Sequence, residues 1–274
     1  MVEPVQLKCN KVKRFWSYRF PLAGASLAVL LHLMSACSIK EDRSGCPARY
    51  TLLFSGPDKT IGTDYSFGLS GDGPRDGFVY QGGAQRRVYD LRRGHLKLYA
   101  FCGWEGGGVY RVPEGACCDS VYTTRRSIVC DGERVLDSLI LHKDFATLFI
   151  SMECTQGNPL RIKVLADVCG IDAGSGDLQD GLFECSPPLA EGSSLITGTV
   201  RIPRQRDGFR VQFLDAAGLI CGELQFDEAL AAALSYSWDK EDLDDISLNG
   251  FYSSGTLSFG VVPWNDGGVS GIEL

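Results

Sequence analysis

Short apolar segments separated by turn residues recur along most of the chain, and this rhythm limits the fold more than any other feature. In the first of them, Tyr50, Leu52 and Phe54 alternate with residues 49, 51 and 53. Such a period of two is typical of a strand with one buried face. The pattern predicts further strands at residues 88–91, 96–101, 121–129, 139–141, 146–152, 160–168, 195–202, 209–214, 219–226, 246–252 and 256–262. We therefore expect an all-β protein.

Two local patterns add detail to this prediction. Residues 88–91 and 96–101 flank Arg92, Arg93 and Gly94, which predicts a hairpin. Residues 227–234 predict a helix, because acids occupy the first turn and alanines follow. We expect this short helix to cross between two sheets and to pack on the core.

The spacing of the strands predicts the domain organisation. Strands that recur every 8–12 residues favour β-sandwiches over α/β units. A break near residues 142–144 divides the chain after residue 46 into parts of ordinary sandwich size. We predict an N-terminal β-sandwich domain at residues 47–142 and a C-terminal β-sandwich domain at residues 143–274.

The N-terminus has the layout of an export signal. Five basic residues precede residue 20 against the single acid Glu3, and residues 20–36 contain no Asp, Glu, Lys or Arg. This run is short for a membrane-spanning helix, which usually needs about 20 residues. A spanning helix is the alternative, but the small residues Ser35 and Ala36 before Cys37 favour a cleaved signal peptide at residues 1–36.

The segment Leu33-Met34-Ser35-Ala36-Cys37 resembles a lipobox, although Met34 stands where leucine is commoner. It predicts a lipoprotein that carries acyl chains such as palmitate on Cys37, with residues 37–46 as a tether. Two or three chains hold a protein firmly to a bilayer, whereas one holds it marginally. We therefore expect the protein to be lipid-anchored in the cell outer membrane.

The residues after the lipidated cysteine carry a second signal. Lys40, Glu41 and Asp42 resemble the surface-export signal of Bacteroidota lipoproteins, and an ordinary hydrophilic linker is the alternative. With the signal peptide removed, 22 basic residues face 33 acidic ones. The resulting net charge of −11 opposes binding to nucleic acid. We expect a surface-exposed protein that does not bind nucleic acid.

The sequence does not indicate an enzyme or a cofactor. His95 and His142, the histidines beyond the signal, lie in no metal-ligand or catalytic spacing. The acidic run at residues 239–245 lacks the features of an EF-hand, so a solvated loop is favoured over a calcium site. Trp104, Trp238 and Trp264 are interpreted as core aromatics, with a sugar-stacking platform as the alternative. We expect no catalytic residue, metal, cofactor or small-molecule substrate.

Cysteines are numerous for an exported chain. Nine remain besides Cys9 and Cys37, so at least one stays unpaired within the chain. Disulfides are favoured in an oxidising compartment. Many of these cysteines lie on apolar strands, however, where they can serve as small buried hydrophobic residues. No pairing follows from the sequence.

Both ends of the mature chain resemble the FimB/Mfa-type fimbrium-anchoring lipoproteins of the Bacteroidota. The start, residues 37–47, has a lipidated cysteine, an acidic spacer and Cys46-Pro47 before the first strand at residues 49–54. The end, residues 255–264, resembles the apolar final strand that closes on tryptophan, here Trp264. Residues 144–152 and 160–168 resemble the paired strands that open the second domain of that family.

The resemblance implies two tandem transthyretin-like β-sandwich domains and an anchoring role. Such a protein holds a fimbrium to the outer membrane and can limit its length. Its partner is a fimbrial stalk subunit, bound by strand donation, which is a form of β-augmentation. We place the contact at Thr256, Leu257, Phe259, Val261 and Trp264, and a permanent intramolecular strand is the alternative for this segment. A surface glycan-binding lipoprotein is the alternative function.

Overall fold

The computed structural model describes residues 46–54, 64–70, 75–79, 85–104, 108–154, 160–191, 195–253, 256–264 and 272–273. The signal peptide, Cys37 and the export signal Lys40, Glu41 and Asp42 lie outside these ranges. No helix within them combines the length and the apolar character that crossing a bilayer requires.

Strands dominate the described part of the chain. Up to residue 143 they are β1 (Ala48–Phe54), β2 (Asp64–Ser70), β3 (Arg75–Val79), β4 (Gln85–Leu91), β5 (Gly94–Cys102), β6 (Val109–Arg111), β7 (Tyr122–Cys130), β8 (Arg134–Leu139) and β9 (His142–Lys143). Beyond it they are β10 (Phe145–Cys154), β11 (Arg161–Asp172), β12 (Leu178–Cys185), β13 (Ala190–Glu191), β14 (Leu195–Pro203), β15 (Phe209–Leu214), β16 (Ile220–Phe226), β17 (Asp245–Ser253), β18 (Thr256–Trp264) and β19 (Ile272–Glu273), with the short helix α1 (Glu228–Ala233) between β16 and β17. The all-β prediction is confirmed.

Seven strands are arranged in the same order in each half of the chain. The first half has the sheets β4-β1-β8 and β3-β2-β5-β7-β9, and the second contains the series β14-β10-β17 and β12-β11-β15-β16. In both halves the first strand lies between an antiparallel and a parallel neighbour. The second half adds β13, β18 and β19 to the sheet that contains β10. This repetition supports two tandem sandwiches.

Separate hydrophobic cores accompany the two halves. One is built from residues between Ala48 and Leu141, and the other from residues between Ala146 and Val261. A smaller cluster joins residues of both halves, namely Tyr110, Cys118, Val121, Phe145 and Ile171. Two separate cores are consistent with a domain boundary between residues 142 and 143. The exact boundary stays a prediction.

One segment of the first half packs on the second. We call residues 108–121 the strap segment. Its strand β6 pairs with β11, and Val112 donates its backbone N–H to Cys169 at 2.8 Å. A Cβ on Gly170 would lie 2.0 Å from the Tyr110 carbonyl oxygen, so this close approach needs glycine. Strand β6 was not predicted, because a three-residue strand among turn residues has no periodicity.

Three details of the strand prediction are wrong. β4 and β5 do not form a hairpin, because β4 pairs with β1 while β5 pairs with β2 and β7 in the other sheet. Likewise β10 and β11 are not paired with each other but lie in opposite sheets over the second core. Of the strand predicted at residues 139–141, only Leu139 belongs to a strand, as the last residue of β8. Alternation of apolar and polar residues predicts which face of a strand is buried, but it does not predict with which other strand that strand pairs.

The predicted helix is confirmed at residues 228–233. Its N-cap Asp227 accepts a hydrogen bond from the backbone N–H of Leu230 at 2.9 Å, which satisfies an otherwise unpaired donor. The helix connects β16 in one sheet to β17 in the other, and Leu230 and Ala231 belong to the second core. Its crossover position and core role agree with the sequence prediction.

Candidate functional site

The predicted partner-binding residues lie together on β18, near the edge of the second half's larger sheet. β18 pairs antiparallel with β17 over nine residue pairs, from Asp245 opposite Trp264 to Ser253 opposite Thr256. Its inward side chains pack on the second core: Val261 is 1% exposed, and Leu257 and Phe259 contact the same cluster. The ring of Phe259 stacks on Phe213 with centroids 5.6 Å apart. This packing favours the intramolecular strand, and a partner contact at these residues stays a prediction.

The outer edge of β18 is paired only briefly in the described part of the chain. There, β19 meets it at Gly260 and Val261. None of the nine residues of β18 carries a charge. Proteins usually protect open edges with charges, bulges or very short strands, so a long uncharged edge is receptive to an added strand. Pro263 limits this at one position, since it has no backbone N–H.

The repeated topology points to a second edge, which the sequence analysis missed. β8 in the first half occupies the place of β17 in the second, next to the first strand and parallel to it. β17 is covered by β18, whereas β8 is the last strand of its sheet in the described residues. Leu136 on β8 is 71% exposed and the neighbouring Ile140 is 55% exposed. These two side chains leave apolar surface at this edge, while Asp137 on the same strand forms an ion pair with Arg126.

The edges of the other sheet in the second half carry protective features. The pairing of β11 with β12 is interrupted by two register shifts, and Arg206 forms an ion pair with Asp180 on β12. The backbone of Gly115 in the strap segment bridges to Cys185 at the end of β12. The β15–β16 pairing also contains a register shift. Bulges and charges of this kind discourage strand addition.

A polar network joins the two halves near the junction. The buried carboxylate of Asp144 accepts hydrogen bonds from Thr123 Oγ1 on β7 and from Arg204 Nε, the latter at 2.8 Å. Arg204 also donates to the carbonyl oxygens of Lys240 at 2.8 Å and Glu241 at 3.1 Å. The attraction between the two charges offsets the free energy that each loses when it is removed from water. A buried charge without a partner would have no such compensation.

A cleft of about 640 Å³ opens beside this network. Three of the arginines that line it are engaged within the protein: Arg126 contacts Asp137 at 2.6 Å, Arg204 pairs with Asp144, and Arg206 pairs with Asp180. Trp238 also lines the cleft but is only 8% exposed. It packs edge-on against Phe209, Phe226 and Tyr236.

The three tryptophans do not share one environment. The core interpretation holds for Trp238, while Trp104 is half-buried and stacks on Phe101 with centroids 4.2 Å apart. The side chain of Trp264 lies outside the described residues. The ring of Trp238 is therefore not exposed for stacking on a sugar, as the sugar-stacking alternative would require.

The two histidines beyond the signal peptide lie in different surroundings. His95 is an exposed residue of β5 that pairs with Val129. His142 is half-buried, and its Nδ1 lies 3.2 Å from Asp242 Oδ2. Asp242 also accepts the backbone N–H of Lys143 at 2.8 Å. The acidic run after the helix therefore fastens the junction at residues 142–143 rather than forming only a solvated loop.

Most cysteines behave as small buried residues. Of the nine described cysteines, six are buried: Cys102, Cys118, Cys130, Cys154, Cys169 and Cys185. Burial raises the pKa of the Cys102 and Cys118 thiols to about 12, which makes them poor nucleophiles at neutral pH. The interpretation of these cysteines as hydrophobic residues agrees with this.

The described residues thus form an all-β fold in which one seven-strand order occurs twice. No known family profile matches the chain, and no curated protein matches it in sequence. Solved structures match it in fold. A candidate adhesin of Bacteroides thetaiotaomicron has a TM-score of 0.58 at 12% identity and covers 79% of this chain and 96% of its own.

Two further structures have the same fold. The fimbrial anchor protein Mfa2 of Porphyromonas gingivalis has a TM-score of 0.55 at 9% identity and covers 80% of this chain and 98% of its own. A candidate polysaccharide-binding protein of Bacteroides thetaiotaomicron has a TM-score of 0.56 at 9% identity and covers 79% and 95%. The predicted resemblance to Mfa-type proteins is confirmed at the level of the fold.

Proposed function

We propose that the chain is a non-enzymatic outer-membrane lipoprotein that anchors a fimbrium. Acyl chains on Cys37 hold it to the membrane, and Lys40, Glu41 and Asp42 direct it to the cell surface. A fimbrial stalk subunit binds it by adding a strand to an open sheet edge. The fold shared with the fimbrial anchor protein Mfa2 supports this role. The same role includes limiting filament length, because an anchor bound to the final stalk subunit occupies the contact that a further subunit would use.

The observation that carries the proposal is the presence of receptive edges on a repeated topology. β18 offers nine uncharged residues, with Gly260 and Val261 covered by β19. β8 lacks, in the described residues, the strand that β18 supplies to β17. Main-chain hydrogen bonds along such an edge give affinity, and pockets for alternate side chains give specificity.

Deleting residues 256–274 would not test the contact cleanly. Val261 is buried in the second core and Phe259 stacks on Phe213, so the deletion would also remove core packing. Single lysines at exposed positions are better, since lysine on an edge strand discourages pairing. Leu136→Lys places the charge on β8, and Ser258→Lys places it on β18. Asn249→Lys is the matched control, because Asn249 is exposed on the interior strand β17.

The experiment measures how much stalk subunit, the major protein of purified filaments, co-purifies with each tagged variant from outer membranes. We expect Asn249→Lys to recover the wild-type amount. At least one of the edge variants should recover about a tenth of the wild-type amount of stalk subunit. This corresponds to a loss of about 1.4 kcal/mol of binding free energy. Equal recovery by all three variants would contradict strand addition. Recovery of a glycan-uptake complex by wild type would favour the glycan-binding alternative.

A further inference from the structure

Two cysteine side chains meet where the strap segment passes the end of β12. The Sγ atoms of Cys117 and Cys185 are 2.7 Å apart, and the residues are separated by 68 positions in the chain. The sulfur atoms of a disulfide are about 2.05 Å apart. Bond formation therefore needs a movement of less than about 1 Å.

The backbone holds both residues in place independently of their thiols. Gly115, two residues before Cys117, forms a parallel bridge with Cys185. On the other side, Cys118 donates its backbone N–H to the carbonyl oxygen of Arg201 at 3.1 Å. The Arg201 guanidinium in turn donates from Nε to the Cys118 carbonyl oxygen at 2.7 Å. The strap segment is thus fixed on both sides of Cys117, so little further ordering is needed for the bond.

The two thiols differ in their access to solvent. Cys185 is 1% exposed, whereas Cys117 is half-buried and packs against the rim of the second core. Burial, followed by the neighbouring Cys117 side chain, raises the pKa of the Cys185 thiol. A soluble oxidant therefore reaches Cys117 first, and Cys185 reacts within the protein.

We propose that Cys117 and Cys185 form an intramolecular disulfide when the folded chain meets a disulfide oxidant. The Cys117 thiolate attacks one sulfur of the oxidant, such as glutathione disulfide, and releases one glutathione thiolate. The Cys185 thiolate then attacks the Cys117 sulfur and releases the second. The protein thiols lose two electrons and two protons, and the oxidant is reduced to two thiols.

This bond ties the strap segment to the edge strand β12. It closes a loop of about 70 residues that joins the two halves, which restricts the unfolded chain more than the folded one. It also fixes the cover over the end of β12, where strand addition would otherwise be possible. The inference goes beyond the proposed anchoring role and does not depend on a filament partner.

The test uses the reduced full-length chain in detergent, incubated with oxidised glutathione at pH 8.5. After alkylation and digestion without reduction, mass spectrometry should find a peptide pair joining Cys117 to Cys185 and lighter by two hydrogens. The bond should raise the apparent Tm by about 10 °C, given the length of the closed loop. Alkylation of both residues in every digest would overturn the proposal.

Four variants assign the bond and separate it from folding defects. Cys118→Ser and Cys169→Ser change nearby cysteines and should still form the linked pair. Cys117→Ser and Cys185→Ser should form none and should show no rise in Tm with the oxidant. A linked pair that persists in Cys117→Ser through Cys118 would also overturn the assignment. Because the oxidant is supplied in solution, the result is independent of whether the chain binds a fimbrium.

Discussion

Buried tyrosines show how single polar side chains are accommodated in this fold. Tyr50 and Tyr236 are each at most 5% exposed, yet both donate hydroxyl hydrogen bonds. Tyr50 donates to Asp137 Oδ2 at 2.5 Å and Tyr236 donates to the Asp244 carbonyl oxygen at 3.3 Å. Burial, and secondly a neighbouring carboxylate, raises the pKa of Tyr236 above its ordinary value of about 10. The folded state therefore favours the neutral phenol.

The raised pKa predicts a loss of stability at high pH. The unfolded chain ionises Tyr236 above about pH 10 while the folded chain keeps it neutral, so the stabilisation is present below pH 10 and declines above it. Each such tyrosine should contribute about 1.4 kcal/mol per pH unit to the decline. Urea denaturation between pH 9 and 11 measures this slope. Tyr236→Phe should make the slope shallower, and an unchanged slope would contradict the explanation.

At the scale of elements, the sequence predicted strands best where one face is fully buried. β15 was predicted with its observed bounds because its buried and half-buried residues alternate without interruption. β12 was missed, since five consecutive residues on this bulged edge strand are half-buried or exposed. Its irregular burial leaves no period to detect.

The candidate edges were only partly predictable for a related reason. The apolar pattern of residues 256–262 predicts the strand β18, and the resemblance to a family's final strand predicts a partner contact there. The edge position of β8 depends on pairings with β1 that are distant in sequence. The local pattern of apolar residues carries no information about which distant strands pair. The edge position of β8 and the pairing of β6 with β11 could therefore not be predicted from it.

The junction between elements depends on Arg204. Its guanidinium connects the Asp144 carboxylate to the loop after α1, and its removal would leave that buried carboxylate without its cationic partner, with the Thr123 hydroxyl still bound to it. Arg204→Met should lower the free energy of unfolding by about 3–5 kcal/mol. Urea denaturation followed by tryptophan fluorescence measures the change.

Arg206→Met is the matched control for this prediction. Arg206 is in the same loop and also pairs with an aspartate, but that pair is exposed to solvent. Exposed ion pairs contribute little to stability, so the control should unfold at the wild-type midpoint. Equal destabilisation by both substitutions would mean that the buried pair is not what holds the junction.

For the molecule as a whole, the repeated seven-strand order leaves the two halves with different sheet edges. The second half carries its own covering strand β18, and the first half, in the described residues, ends its sheet at β8. In the proposed function, these edges are available for strand addition while acyl chains on Cys37 hold the chain at the membrane. The proposed anchoring function predicts that filament retention depends on Cys37.

The measurement that tests this most directly is the distribution of fimbrial stalk subunit between cells and medium. Wild type, Cys37→Ala and Cys46→Ala are compared, because Cys46 is the next cysteine and is exposed. We predict that wild-type and Cys46→Ala cells retain their filaments, while Cys37→Ala releases filaments into the medium together with the tagged chain. Filaments that stay on the cells when Cys37 is replaced would contradict the proposed anchoring role of this cysteine.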